Sequence, residues 1–129
     1  MKKIFNLLLI VALFVGVGLR ANALTFEEAY NESNKKPMVA LIYAQWAEDC
    51  QTYLNVFKTI QDEFSDNYNF VELDIASKDT KFFNSKYHIY PNLPYILMYR
   101  DGGKVSRYLP NSCAKDEACI ITKLKSFAL

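Results

Sequence analysis

The chain is poor in the residues that most often carry chemistry: its 129 residues hold one histidine and three cysteines. The histidine, His88, precedes the prolines of "YPNLP", a loop position where neither a general base nor a metal ligand is expected. Three cysteines and one histidine lack a zinc-ligand spacing, so no metal and no cofactor is expected. There is no excess of positive charge either, with 15 Lys+Arg against 14 Asp+Glu. Three of those cations, Lys2, Lys3 and Arg20, fall in the first segment and leave the acids in a slight majority beyond it. That balance excludes nucleic acid and an anionic membrane surface as natural partners. No repeat, low-complexity tract or linker divides the chain, and a composition 51% hydrophobic and 22% charged suits one small globular domain.

The first segment stands apart from that domain. A basic start, "MKK", leads into "IFNLLLIVALFVGVGL", an apolar run short for comfortable membrane spanning, and then into Ala21, Asn22 and Ala23, a small-x-small cleavage site. Together these read as a signal peptide over residues 1–23, with a domain over 24–129 in the periplasm or outside the cell. The leader contains no cysteine for a lipid anchor; left uncleaved, it would serve as a tether.

Helical and strand signals alternate through the rest. Thr25 followed by Glu28 reads as a capping box that opens a helix over 26–34. "MVALIYA" (38–44) is a continuous apolar run, as in a central strand covered on both faces. Cys50, Leu54, Phe57, Ile60 and Phe64 then recur at helical spacing, which predicts an amphipathic helix ending around 66–67. "NFVELDIA" (69–76) alternates as a strand, and "DTKFFNSKY" (79–87) reads as a short helix. "YILMYR" (95–100) and "KVSRYL" (104–109) flank "DGG" as a hairpin, and a last helix runs over 115–127 with Asp116 and Glu117 in its first turn. The order implies an α/β fold with a mixed sheet of about four strands flanked by about four helices.

Over essentially all of 25–127 the sequence resembles the thioredoxin family, on "KPMVALIYAQWAEDC", "FVELDIA" and "LPYILMYRDGGKV" in that order. It looks closest to short periplasmic domains such as the C-terminal domain of the transmembrane disulfide reductases, where a helix precedes the first core strand. The resemblance implies a C-x-x-C turn beside Trp46, but the attacking cysteine is replaced by Ala47 and the resolving one is retained as Cys50. A resolving thiol with nothing to resolve cannot run a dithiol cycle. The buried acid that many relatives place in the preceding strand is matched here by Leu41. Glu48 and Asp49 would oppose a neighbouring thiolate, whereas the helix N-terminus favours it.

What the resemblance retains is the recognition surface: Trp46, Leu93, Pro94 at the family's cis-proline position, and Tyr95 where threonine is common. Such a proline leaves the preceding backbone groups, here those of Leu93, to pair with an extended peptide. Trp46 and Pro94 read equally well as inherited fold determinants. Cys50, in phase with Leu54, Phe57 and Phe64, reads either as a small buried apolar residue or as a reactive monothiol.

Cys113 and Cys119 bracket the start of the last helix, and a bend at 110–112 would bring them to bridging distance. A structural disulfide is the preferred reading, contributing about 2 kcal/mol; its rival pairs Cys113 with Cys50. The expectation is therefore a monomeric exported protein that binds a peptide or protein and lacks dithiol activity. The alternative is a monothiol oxidoreductase or peroxide-reactive protein using Cys50.

Overall fold

The computed structural model describes residues 24–47, 49–76, 83 and 92–127. The expected signal peptide over 1–23, Glu48, His88 and all of the expected helix 79–87 except Phe83 lie outside the described residues.

Helix α1 (Phe26–Asn31) opens on the capping box: Thr25 Oγ1 accepts from the Glu28 amide at 3.2 Å, and Glu28 Oε1 accepts from the Thr25 amide at 3.0 Å. It stops at Asn31, short of the expected 34. Ser33, nearly fully buried, donates its hydroxyl to the Tyr30 carbonyl at 2.7 Å, offering that carbonyl a partner outside the helical ladder.

Strand β1 (Met38–Tyr43) lies inside a four-stranded sheet of order β2-β1-β3-β4. It runs parallel to β2 (Asn69–Asp74) and antiparallel to β3 (Tyr95–Arg100), which in turn pairs antiparallel with β4 (Val105–Leu109). Residues 38–42 are wholly buried because both sheet faces are covered. Met38, Ala40 and Ile42 point into a cluster with Phe26 and Ala29 of α1, whereas Val39 and Leu41 point into a second one. Phe83 belongs to the first cluster and meets the Phe26 ring edge-on, with centroids 5.4 Å apart.

The second cluster lies beneath α2 (Cys50–Phe64) and α4 (Glu117–Phe127). The buried stripe of α2 is centred on Tyr53, Phe57 and Ile60, with Leu54 and Phe64 only half-buried at its margins. Beyond it the Tyr68 hydroxyl donates to the Leu124 carbonyl at 2.8 Å in the interior, tying the chain before β2 to α4.

Two details of the second half differ from expectation. "DGG" forms a short 3-10 turn in which Asp101, Gly102 and Gly103 all have positive φ (56°, 69° and 89°). The closing helix expected over 115–127 is present as α4, starting at Glu117, and an unexpected four-residue helix, α3 (Asn111–Ala114), precedes it where the sequence reading placed only a bend. Asp116 stands between them and accepts from the Cys119 amide at 3.3 Å through its Oδ1, so it caps α4 from outside the helix. No helix among the described residues is long and apolar enough to cross a membrane.

Candidate functional site

The chain leaves β1 through buried Ala44 and turns at once, with the Ala47 amide donating to the Ala44 carbonyl at 2.9 Å. Trp46 projects from this turn and is 71% exposed, the most exposed large hydrophobic side chain described. Asp49 follows in the left-handed region (φ 61°) and makes no side-chain cap, so α2 begins at Cys50 on a sharp backbone turn. The Cys50 amide reaches back to the Ala47 carbonyl at 3.3 Å, which places Ala47 and Cys50 across one turn.

Cys50 is a free thiol, half-buried at the head of the helix. Burial pushes its thiol above the ordinary cysteine value, and the carboxylates of Asp74 and Glu72 push it further. The helix N-terminus acts in the opposite direction. Among the described residues the charges opposing a thiolate come from Asp74 and Glu72 of β2, while Glu48, to which the sequence also pointed, lies outside the described residues. Strand register explains this: Asp74 pairs with Tyr43 and Glu72 with Leu41, so both carboxylates share the sheet face that α2 covers. The Tyr43 hydroxyl is also pushed up, by burial first and then by Asp74, Glu72 and Cys50. Glu72 itself is raised by desolvation against a smaller opposing pull from Lys58. The alternation in "FVELDIA" puts the two acids on one face, but no local signal says which face.

On the other side of the site the Leu93–Pro94 peptide bond is cis. Pro94 is buried and Leu93 half-buried. Tyr95 corrects the sequence reading: its side chain is wholly buried in the α1-side cluster, its ring tilted against Tyr108 with centroids 5.3 Å apart. As the first residue of β3 it points into the core, so it supports the surface from beneath and offers no side chain to a partner. Asn111, which the sequence did not single out, donates its side-chain amide to the Pro94 carbonyl.

Cys113 and Cys119 form a disulfide with their Cα atoms 5.3 Å apart. The rival pairing of Cys113 with Cys50 is thereby overturned, since the turn at Lys115 and Asp116 brings α3 back against the start of α4. Among the described residues no group of three or more histidine, cysteine or acidic side chains could hold a metal ion.

Among the described residues four helices surround this mixed four-stranded sheet, which makes a thioredoxin fold. The fold is similar to that of the thioredoxin of Malassezia sympodialis (Mala s 13), with a TM-score of 0.59 at 15% identity over 81% of this chain and 87% of that one. Fasciola hepatica thioredoxin gives 0.58 at 17% identity over 78% of this chain and 88% of that one. The thioredoxin family pattern matches residues 18–125, and the chain belongs to that family. Among curated proteins it is similar to the chloroplastic thioredoxin-like protein HCF164 of Oryza sativa subsp. japonica, 38% identical over 65 residues, which is 48% of this chain and 24% of that protein. The Arabidopsis thaliana protein of the same name is 40% identical over 57 residues, 44% of this chain and 21% of that protein. The match thus spans a quarter or less of the length of these relatives.

Proposed function

We propose that this thioredoxin-family chain is an exported protein, periplasmic or secreted, with a degenerate redox turn. It binds a peptide or protein through the face carrying Trp46, Leu93 and Pro94 and is not a competent dithiol oxidoreductase. The observation that carries the reading is Trp46 at 71% exposure beside a turn whose attacking position is alanine. The register of β1 and β3, with Ile42 opposite Tyr95, brings the turn after β1 and the Leu93–Pro94 segment before β3 to the same end of the sheet, and an exposed tryptophan there offers the amphipathic contact area that recognition surfaces favour. The helix α1 ahead of β1 supports kinship with the short periplasmic branch.

The test is disulfide reduction of insulin by residues 24–129, run beside a C-x-x-C thioredoxin. Activity at background is expected, and turnover comparable to the thioredoxin would sink the reading. Trp46, the sole tryptophan, gives a second readout: its emission should shift on titration with a reduced, alkylated insulin B chain.

A second reading rests on Cys50 being free and half-buried at the head of a 15-residue helix. A monothiol there could form mixed disulfides or react with peroxide. Against it stand the raised thiol and the placement of Arg100 and Arg107 over the Phe127 ring, 5.4 and 5.8 Å from its centroid. If Cys50→Ser leaves peroxide consumption and covalent adducts unchanged, this reading is removed.

A further inference from the structure

Helix α3 is only four residues long, too short to hold its shape unaided. Two bonds fix it at opposite ends. Its first residue, Asn111, reaches across to donate to the Pro94 carbonyl, and two residues later Cys113 is bridged to Cys119 of α4. Cys113 and Ala114 are buried in the α2-side cluster, while Cys119 is half-buried.

Building on the binding reading above, we propose that Asn111 is a positioning residue for the Pro94 loop and that the Cys113–Cys119 disulfide holds it there. Reducing the bridge then loosens the recognition face. The chemistry requires an external dithiol. Its thiolate attacks Sγ of the more accessible Cys119, the S–S bond breaks, and Cys113 leaves as a thiolate that takes up a proton. The second thiol of the reductant then displaces Cys119 and closes its own disulfide. Two protein cysteines are reduced and one dithiol is oxidised. Freed from α4, α3 loses its fixed end, and the Asn111 amide loses its hold on Pro94.

The test is NMR on ¹⁵N-labelled protein, oxidised and then reduced with dithiothreitol, with mass spectrometry of alkylated peptides confirming that Cys113 and Cys119 are free. Reduction is expected to speed proton exchange at the Asn111 side-chain amide roughly fivefold. It should also shift the Leu93 and Tyr95 amides and leave Ala40 and Leu73 in place. Asn111→Ala, with the bridge intact, should shift the same two amides. Unchanged Leu93 and Tyr95 signals in either experiment would overturn the proposal, as would a change spread equally to Ala40 and Leu73, because that is general unfolding. These readouts need no partner, so failure of the insulin B chain to bind counts against the binding reading alone. Where it binds, reduction should weaken it several-fold.

Discussion

Leu41 and Glu72 stand opposite each other across the parallel β1–β2 pair. Paired residues point to the same side of a sheet, so both face α2. Leu41 is wholly buried, while Glu72 lies on an exposed position of β2 with its carboxyl raised by partial desolvation. The position where the family resemblance expects a buried acid is apolar, and the carboxylates acting on Cys50 come from the neighbouring strand. A proton-relay acid is thus exchanged for a pair of negative charges that oppose thiolate formation.

Alkylation of Cys50 by iodoacetamide should follow from that charge. Because the folded-state pKa is raised, the thiol form persists beyond the pH at which a free cysteine ionises. The rate at neutral pH should lie below that of a small-molecule thiol and climb only as the solution becomes alkaline. Asp74→Asn and Glu72→Gln should each move the midpoint down and speed the reaction at neutral pH. A wild-type midpoint below the ordinary cysteine value would contradict the account.

Glu72 carries a stability consequence of its own. A carboxyl whose folded pKa is raised binds its proton more tightly in the native state, so its contribution is most favourable in acid. That contribution falls as pH rises through the interval from the unfolded to the folded pKa. Glu72→Gln should flatten this part of the stability profile. Urea denaturation at a series of acidic pH values measures it, and an unchanged slope would refute it.

Ala47→Cys restores two cysteines across the turn and should raise insulin reduction above background. Leu41 still supplies no proton acceptor, so the variant should remain about 10²-fold short of a C-x-x-C thioredoxin. An inert variant would show that the loss extends to the groove itself.

The hairpin offers a paired test of backbone against packing. Gly102 and Gly103 both have positive φ, but a Cβ on Gly102 meets nothing within 4 Å, whereas one on Gly103 falls 2.2 Å from the Tyr30 hydroxyl. Gly102→Ala should cost about 1 kcal/mol from backbone strain alone. Gly103→Ala should cost about 2 kcal/mol or more, because Tyr30 must also move. Denaturation midpoints decide it, and equal losses would mean that the Tyr30 contact contributes nothing.

Much of the fold was legible because the local signals were redundant. Thr25 and Glu28 formed their box, and the unbroken run from Met38 marked a strand covered on both faces. The hairpin strands flanked "DGG" as read. The last helix was legible, but it starts at Glu117 because Asp116 serves as its cap and not as part of its first turn, while α3 escaped notice because four residues are too few to show a helical period. The site was less legible. Cys50 and Trp46 are marked by their turn, but the influence of Glu72 and Asp74 depends on the β1–β2 register, a contact between distant segments. Asn111 carries no local pattern at all. Tyr95 was misplaced because β3 is covered on both faces, so each of residues 95–99 packs into one core or the other and none is left for the surface.

Strand β1 divides its side chains between two separate cores, Met38, Ala40 and Ile42 to one and Val39 and Leu41 to the other. Gaining or losing one residue near its middle would send part of each set to the wrong side, while leaving the strand just as apolar. Variation here can therefore accumulate as exchanges of one hydrophobic residue for another, but scarcely as changes of length. Across descendants of this chain, β1 should act as a fixed ruler from which the longer and shorter loops around the site are counted.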